Sequence, residues 1–372
     1  MESDRRFARE LFARYPGTMS LPWVGLATLP TPVESMPALA SAAGAAGLWV
    51  KRDDLSGAAY GGNKVRKLEF LLGEALAAGA TDVITFGAAG SNHALATAIY
   101  AGRLGFKVHS MLLPQPNARY VGRNVLAGIA SGADLRHYPD RAHLLRATAR
   151  LKRELRDRTG RQPCVIPFGG TTARSSAGFV SAGLELATQI EKREMPEPDV
   201  VYVALGSMGT AAGVALGMRA AGLRSKVVAV PVVSYEVNTS EALLALIRET
   251  QDLLHASDST FPRFAWGEGD VEVASGFLGE GYAHFTPEGM EAVRAADASG
   301  LHLEGTYTGK TFSAILAHGR SGRLEAATVL FWNTYSSADI SVLTRSAGTA
   351  RVPARLRPYL ERDVQPLDRE PS

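Results

Sequence analysis

A glycine pair followed by a lysine is the first candidate for chemistry in this sequence. Gly61 and Gly62 precede Asn63 and Lys64, and a helical pattern begins directly afterwards. The positive end of a helix dipole disfavours an ammonium group, so the pKa of this lysine should fall and its amine become nucleophilic. Such an amine can hold an aldehyde as a Schiff base. A solvated lysine is the commoner fate, and this segment alone favours that alternative.

A turn rich in small residues joins the predicted strand 200–205 to the helix after it. The turn reads Gly206, Ser207, Met208, Gly209 and Thr210. Free N–H groups and hydroxyls at a helix N-terminus are what a phosphate group requires. The spacing matches neither Walker A nor the full dinucleotide fingerprint, and the alternative is a tight turn without a ligand.

A third turn, residues 87–93, also joins a predicted strand to a helix and ends in Ser91, Asn92 and His93. Its amides and hydroxyl suit a small carboxylate. For a lone histidine, a structural hydrogen bond is the better interpretation. The segment 305–311 resembles a P-loop but has three residues between its glycines where Walker A has four, which excludes nucleotide hydrolysis.

The remaining motifs exclude two large enzyme classes. The eight histidines show no metal-binding spacing, and no Gly-x-Ser-x-Gly elbow is present, so we expect no metal and no serine hydrolase. What is left is a lysine amine, a carboxylate turn, a phosphate turn and the pair Tyr307 and Thr308. Pyridoxal phosphate needs an amine for its aldehyde, a phosphate cradle and a partner for its pyridine nitrogen. The residues therefore predict this cofactor.

The elements that must position these residues alternate along the chain. Short β-branched runs predict strands, and longer segments of helical period predict crossover helices between them. The strands are 82–86, 107–113, 164–168, 200–205, 226–233 and 328–332. The helices are 67–78, 92–104, 141–158, 178–191, 210–221, 287–299 and 310–318. This order predicts parallel sheets covered on both faces, with ligands at the carboxyl ends of the strands.

The strand and helix series falls into two parts that meet near residues 169–176, which predicts two α/β domains with a cleft between them. We expect a large domain from residues 1–66 and 176–345 and a small domain from residues 67–175. Residues 346–372 are rich in arginine and proline and are expected to form a surface or subunit-contact extension.

Composition sets the broad class. A chain of 372 residues with 46% hydrophobic and 21% charged residues is long enough for two domains and is not disordered. The net charge of +3 gives no reason to expect nucleic acid or an anionic membrane as a partner. A single cysteine, Cys164, indicates a reducing compartment, and residues 1–20 contain no apolar signal region. We expect a cytoplasmic protein.

The order of these motifs resembles the fold-type II pyridoxal-phosphate enzymes, and within them the family of D-cysteine desulfhydrase and 1-aminocyclopropane-1-carboxylate (ACC) deaminase. The resemblance extends from about residue 29 to about residue 336, most of the chain. The matching segments are 29–34, 50–55, 61–69, 91–93, 166–170, 206–210 and 307–310. Gly-Gly-Asn-Lys at 61–64 together with Lys-Arg-Asp-Asp at 51–54 is a specific pair.

The resemblance assigns roles to the cofactor side. Lys64 would be the Schiff-base lysine and the proton carrier at the substrate α-carbon. Asn92 would bond the phenolic oxygen of the cofactor, and Thr308 would face its pyridine nitrogen. The phosphate would be held by Gly206, Ser207, Met208, Gly209 and Thr210.

The substrate side follows from the same resemblance. Ser91, Asn92 and His93 would receive the substrate carboxylate. Tyr282 and Tyr307 match tyrosines that line the substrate side, with Tyr307 the firmer match. With Lys64, we expect Ser91 and the two tyrosines to form the catalytic set, while Thr334 and Tyr335 would border the substrate.

Thr308 bears on the reaction. ACC deaminases have a glutamate here, which keeps the pyridine nitrogen protonated for ring opening, whereas a neutral threonine suffices for β-elimination. Thr334 and His93 favour the desulfhydrase as well. Two positions depart from the family pattern. Tyr335 and Ser336 stand where it usually has two glycines, and Leu95 and Ala96 replace an Arg-Gln pair after His93.

We therefore expect an α/β fold with two open, twisted, mostly parallel sheets flanked by helices, as in the tryptophan synthase β-like fold, with the active site in the interdomain cleft. The expected reaction is α,β-elimination on a small, D-cysteine-like amino acid, giving pyruvate and ammonia. The alternatives are ACC deamination, β-replacement, racemisation, and a non-catalytic relative whose pocket Tyr335 obstructs. The resemblance also implies a homodimer.

Overall fold

Two mostly parallel sheets flanked by helices form the protein, which confirms the predicted fold class. The structure is a computed structural model that describes residues 9–234 and 239–369. The larger sheet has the strand order β1-β2-β10-β7-β8-β9, with β1 Val33–Ser35, β2 Gly47–Lys51, β7 Val200–Leu205, β8 Lys226–Pro231, β9 Val271–Val273 and β10 Thr328–Trp332. The smaller sheet has the order β5-β4-β3-β6, with β3 Asp82–Ala88, β4 Lys107–Leu113, β5 Asp134–His137 and β6 Cys164–Ile166.

The central strands are largely apolar and buried because helices cover both of their faces. All residues of β7 are buried, and β3 is buried except at its last residue. Among the described strands, β1 alone pairs antiparallel, with Val33 opposite Lys51 of β2. The two sheets use the chain segments assigned to the two expected domains, whose exact bounds stay a prediction.

Helices connect the strands and pack on both faces of the sheets. Their bounds are α1 Glu10–Arg14, α2 Pro37–Ala42, α3 Lys64–Ala77, α4 Asn92–Arg103, α5 Arg119–Ala130, α6 Arg141–Thr159, α7 Ala173–Glu191, α8 Gly209–Ala220, α9 Ser240–Ser257, α10 Pro287–Asp297, α11 Thr308–Arg320, α12 Ser341–Ser346 and α13 Pro358–Glu361. One apolar core contains residues of α7, α8 and α9, and a second contains residues of α10 and α11. Within the described part of the chain, no helix is both long and apolar enough to span a membrane.

The structure contains elements beyond those that the sequence pattern predicts: β1, β2, β5, β9, α1, α2, α5, α9, α12 and α13. Strands β1 and β9 have three residues each, which is too short to show a period. Strand β5 is a polar edge strand, Asp-Leu-Arg-His. The predicted strand 164–168 ends at Ile166, since Gly169 and Gly170 turn the chain with φ of 65° and 63°.

A buried ion network links β2, α3 and α7. Lys51 Nζ donates to Glu185 Oε1 over 2.6 Å, and Arg66 Nη2 donates to Asp53 Oδ1 over 2.8 Å and to Glu185 Oε1 over 2.9 Å. Trp332 of β10 donates its indole N–H to Asp53 Oδ2 over 2.9 Å. Lys51 and Asp53 of the family-typical motif therefore position the elements around the cavity and belong to the framework of the fold.

Loss of one partner from this network should destabilise the fold, because a buried charge would be left without compensation. We expect Glu185→Gln to lower the free energy of unfolding by about 3 kcal/mol, measured as a lower urea midpoint at constant slope. Glu191→Gln, on the same helix, is the control. Glu191 pairs with Arg14 at an exposed site, so its loss should cost about 1 kcal/mol or less. Equal midpoints for the two variants would contradict this prediction.

Candidate active site

A cavity of about 340 Å³ lies where strands of both sheets end. Its walls include Ala88 at the end of β3, Leu113 at the end of β4 and Ala204 near the end of β7. Carboxyl ends of parallel strands are the usual place for a ligand, because the loops there are free to vary. The three motif turns predicted to carry chemistry all line this cavity.

Lys64 is the first residue of α3, and its ammonium nitrogen Nζ donates to Asn63 Oδ1 over 2.8 Å. Burial lowers the pKa of Lys64 to about 8, and the nearby Glu304 carboxylate opposes this shift. The sequence predicted a lowered pKa from the helix dipole, whereas burial is the main cause. A substantial fraction of the amine is therefore neutral near physiological pH and able to attack an aldehyde.

Gly62 makes this position of Lys64 possible. Its φ is +86°, and a Cβ there would lie 2.5 Å from the carbonyl oxygen of Tyr335. A side chain would therefore push the Lys64 turn away from the segment after β10.

The predicted phosphate turn has the geometry that an anion requires. Met208 precedes α8 with a φ of 68°, and no side chain caps the helix N-terminus. Gly206, Ser207, Met208 and Thr210 line the cavity. Gly209 is not among the lining residues; its N–H bonds Ser207 O over 2.9 Å. A strained, uncapped helix start leaves N–H groups open to a bound anion.

Lys67 lies beside this turn, a residue that the sequence analysis missed. Its ammonium group donates to Thr171 Oγ1 over 2.8 Å, with Ser207 Oγ and the carbonyl oxygen of Gly169 each at 3.4 Å. Burial, followed by the charge of Lys64, lowers the pKa of Lys67 well below its usual value. These partners are neutral, so an anion on the turn would supply the missing counter-charge. One feature of the sequence could have identified Lys67: it follows Lys64 by three residues and so lies on the same face of the helix.

Asn63 connects the two turns, and it was also missed. Its side-chain N–H donates to Thr210 Oγ1 over 2.9 Å, while its oxygen accepts from Lys64. The amine and the phosphate turn are thus held at a fixed separation by one amide group.

The third turn brings Ser91, Asn92 and His93 to the cavity wall together, as predicted. Ser91 caps α4 by accepting from the N–H of Ala94 over 3.2 Å. Asn92 Oδ1 accepts from the hydroxyl of Tyr60 and the amide of Asn124, each over 2.9 Å. The contacts of Tyr60 and Asn124 could not be read from the sequence, since neither lies in a motif.

His93 is neutral in this site. Burial, then the charges of Lys64 and Lys67, lowers the pKa of His93 well below its usual value. Nε2 lies 3.0 Å from Thr85 Oγ1, and Nδ1 is buried without a hydrogen-bond partner among the described residues. A neutral ring at the wall can contribute a hydrogen bond to a ligand without adding a charge.

Tyr282 and Tyr307 meet in the cavity, and their hydroxyl oxygens are 2.7 Å apart. The ring of Tyr307 has its centroid 5.9 Å from Lys64 Nζ. Burial raises the pKa of Tyr282 to about 12 and that of Tyr307 well above its usual value. Both phenols therefore keep their protons at neutral pH and can donate hydrogen bonds close to the amine.

Thr308 is fully buried but is not one of the residues that line the cavity. Its hydroxyl accepts from the N–H of Glu304 over 2.9 Å. Thr334 does line the cavity. The Thr308 hydroxyl is thus engaged at the start of α11, and its contact with a cofactor ring stays a prediction.

Glu304 is a cavity residue that the sequence analysis missed. Its carboxylate accepts from the N–H groups of Thr306, Tyr307 and Thr308 over 2.7 to 3.0 Å. A carboxylate at a helix N-terminus is stabilised by the dipole. Glu304 fixes Tyr307 at the cavity wall. The feature of the sequence that could have identified it is its position just before the P-loop-like segment.

Tyr335 also lines the cavity, at the position where the family pattern has glycine. Its hydroxyl accepts from Arg123 Nη2 over 2.6 Å, and its ring lies 5.5 Å from that of His302. The side chain therefore links the segment after β10 to α5 and occupies space that glycine would leave open.

Comparisons with known proteins agree with this geometry. The family model described as "Pyridoxal-phosphate dependent enzyme" matches residues 24–334. Nocardicin C-9′ epimerase of Nocardia uniformis subsp. tsuyamanensis is 38% identical over 92% of this chain and 99% of its own length. D-cysteine desulfhydrase of Salmonella paratyphi A is 32% identical over 79% of this chain and 88% of its own. The crystal structure of an ACC deaminase homologue superposes with a TM-score of 0.75 at 31% identity, covering 88% and 95% of the two chains.

The residues present fit pyridoxal phosphate. Lys64 supplies a buried amine with a lowered pKa for the aldehyde. The uncapped start of α8 and the ammonium of Lys67, whose hydrogen-bond partners are neutral, suit the phosphate. Thr334 offers a hydroxyl in the same cavity.

The rate at which the apoenzyme binds pyridoxal phosphate covalently should rise with pH, reach half of its maximum near pH 8 and level off above that, because only the neutral Lys64 amine attacks the aldehyde. A free lysine side chain, with a pKa of about 10.4, should continue to gain rate above that pH. Stopped-flow absorbance at different pH values would measure both.

Lys64→Ala should abolish covalent attachment after borohydride reduction, measured by peptide mass spectrometry. Lys152→Ala, an exposed lysine on α6, is the control and should leave attachment unchanged. Label recovered on another lysine of the Lys64→Ala variant would count against this assignment.

Proposed function

Because the chain belongs to the pyridoxal-phosphate-dependent enzyme family, we propose that it is a lyase that eliminates the β-substituent of a small, D-cysteine-like amino acid. The products would be pyruvate, ammonia and the leaving group. The observation that carries this proposal is that the buried Lys64 amine, whose pKa is lowered to about 8, lies in one cavity with Ser91 to His93 and the hydrogen-bonded pair Tyr282 and Tyr307. The similarity to a D-cysteine desulfhydrase supports it.

Each wall of the cavity has a task in this reaction. Pyridoxal phosphate, when bound, supplies the electron sink that stabilises negative charge at the substrate α-carbon. The turn 206–210 and Lys67 would hold the phosphate, and Asn92 would bond the phenolic oxygen. Ser91 and His93 would bind the substrate carboxylate, and this orients the α-hydrogen for removal.

Proton movements follow from the pKa directions. The Lys64 amine takes the α-proton, the bond from Cβ to the leaving sulfur breaks, and the sulfur requires a proton. Tyr282 and Tyr307 keep their protons at neutral pH, because burial raises both pKa values, so one of the two hydroxyls can donate to the sulfur. The released enamine then hydrolyses to pyruvate and ammonia.

The neutral threonines Thr308 and Thr334 suit elimination better than ACC ring opening. In the resemblance, ring opening is associated with a glutamate that keeps the pyridine nitrogen protonated. Glu304 is in the cavity, but its oxygens already accept from three N–H groups of α11. A threonine at position 308 would at most share a hydrogen bond with the ring nitrogen and leave it less positive, which is enough when the leaving group departs at once.

Epimerisation at the α-carbon is the second candidate function. It is favoured by the 38% identity to an epimerase that aligns over 99% of its length. The first step, proton removal by Lys64, would be the same, and a proton would then return from the opposite side without loss of a β-substituent. Tyr335 in place of glycine gives the substrate side of the cavity a different shape, which is compatible with another substrate.

An assay of a panel of D- and L-amino acids in deuterated water tests the two candidates together. Elimination predicts pyruvate from D-cysteine and β-chloro-D-alanine, with 2-oxobutyrate from ACC absent. Epimerisation predicts α-deuterium incorporation and inversion with no keto acid. The Lys64→Ala variant is the control and should give neither product. Deuterated, inverted amino acid as the sole product would overturn the elimination proposal in favour of the second candidate.

We also propose that the protein is a cytoplasmic homodimer that binds neither nucleic acid nor membrane. The resemblance of the motifs supports the dimer, and the lone Cys164 supports a reducing compartment. Sedimentation equilibrium of the holoenzyme should give twice the chain mass at micromolar concentration. A monomer at that concentration would refute the dimer.

A further inference from the structure

The loop that carries Tyr282 has an unusual backbone. Between Gly276 and Ala283 it contains four residues with positive φ: Gly276 at 98°, Gly279 at 67°, Gly281 at 146° and Ala283 at 60°. A non-glycine residue in this region is strained and persists only where the surroundings hold it. Something must therefore hold residues 276–285, which we call the Tyr282 loop, in place.

One set of contacts comes from the C-terminal segment, residues 347–369. Gln365 Oε1 accepts from the N–H of Phe285 over 2.7 Å. Gln365 Nε2 donates to the carbonyl oxygen of Ala283 over 3.1 Å. One side chain thus bonds the loop on both sides of His284 and directly at the strained residue next to Tyr282.

Gln365 is itself fixed to the loop that follows β4. Its backbone N–H donates to Asn117 O over 3.0 Å, and the Asn117 amide donates to Arg362 O over 3.0 Å. Tyr359 accepts from the N–H of Gln115 over 3.1 Å, and Gln115 Oε1 accepts from the N–H of Gly90 in the carboxylate turn over 2.8 Å. The segment therefore contacts two loops that contribute residues to the cavity: the loop after β4, which contributes Leu113 and Pro114, and the Tyr282 loop.

Apolar packing anchors the segment against the small sheet. Val352 is 2% exposed and Leu356 is 0% exposed, in a cluster with Val121 and Val125 of α5. Burial of these two aliphatic side chains favours the docked position of the segment. The segment also lies beyond residues 24–334, the part that the family model matches.

A second side chain holds the same loop from α11. The ammonium group of Lys310 is buried and donates to Leu278 O over 2.7 Å and to Gly281 O over 2.9 Å. Lys310 thus fixes the first half of the Tyr282 loop and Gln365 the second half. Between them, the Tyr282 hydroxyl reaches Tyr307.

We propose that the C-terminal segment completes the active site and that Gln365 is a positioning residue, which acts on the reaction by holding the Tyr282 loop. This inference rests on the proposed function, since Tyr282 is there one of the two proton donors. Without Gln365, Ala283 can relax from its positive φ, and the Tyr282 hydroxyl then loses its fixed distance to Tyr307.

The contact itself is tested by hydrogen exchange in the holoenzyme, whatever the reaction is. In Gln365→Ala, the Phe285 amide and its neighbours in the loop should exchange about tenfold faster, because the acceptor is gone. Gln365→Glu keeps that acceptor but loses the donor to Ala283 O, so exchange at Phe285 should change less. The matched control is Gln162→Ala, an exposed glutamine. Unchanged exchange in Gln365→Ala would overturn the proposal.

The link to the reaction is tested by a double-mutant cycle with Tyr282→Phe. A group displaced by about 1 Å can lose up to 100-fold in rate, so we expect kcat/KM of Gln365→Ala to fall about tenfold. In the Tyr282→Phe background the same change should cost nothing further, since the hydroxyl that Gln365 positions is absent. Covalent cofactor attachment at Lys64 should stay unchanged in all variants.

The outcomes separate this inference from the proposed function. A loss for Gln365→Ala that is as large in the Tyr282→Phe background would mean a general structural effect and would refute the positioning role. The cycle uses whichever product the amino-acid panel reveals, pyruvate or the inverted amino acid, so failure of the elimination proposal leaves it intact. Full activity of Gln365→Ala with a freely exchanging loop would refute it as well.

Discussion

The structure depends on the first turn of α3, in which successive side chains are fixed in different surroundings. Lys64 enters the cavity, Arg66 enters the buried ion network with Asp53 and Glu185, and Lys67 reaches the phosphate turn. Asn63, just before the helix, bonds Thr210. Because a helix rotates by about 100° per residue, this one turn can bind the framework and both sides of the cofactor site at once. Any shift of α3 would disturb all of these contacts together.

Several cationic side chains are buried around this turn. Those in the framework have carboxylate partners, whereas those that face the cavity do not. Burial disfavours the charges of Arg66 and Lys51 as well, but both have carboxylate partners: Asp53 and Glu185 raise the pKa of Arg66 above its usual value, and Glu185 partly offsets the lowered pKa of Lys51. Lys64 and Lys67 have only neutral hydrogen-bond partners, and burial lowers the pKa of each. The uncompensated pair faces the cavity. The cost of burying a cation, which carboxylate partners offset in the framework, is not offset in the cavity. This gives the site a nucleophilic amine and a place for an anion.

The substrate side is built by parts of the chain that are far apart in sequence. Tyr282 comes from a strained loop, Tyr307 from the start of α11, and Tyr335 from the segment after β10. Each is held by a residue outside the catalytic set: Gln365, Glu304 and Arg123 respectively. The contacts of the cofactor side therefore converge on the start of α3, from Asn63 to Lys67, whereas the tyrosines of the substrate side are supported separately. Differences in substrate between relatives can then arise without any change around Lys64.

The sequence by itself determined the fold class, the cofactor and the turns that carry Lys64, Ser91 to His93 and Gly206 to Thr210. These follow from local patterns, since a glycine-rich turn between a strand and a helix has the same geometry wherever it occurs. Short edge strands such as β1 and β9 have no period to detect, and the roles of Glu304, Lys67 and Gln365 depend on partners distant in sequence or on burial. The sequence also did not show the direction of the Thr308 hydroxyl. That direction follows from its hydrogen bond with the N–H of Glu304, which forms where α11 begins.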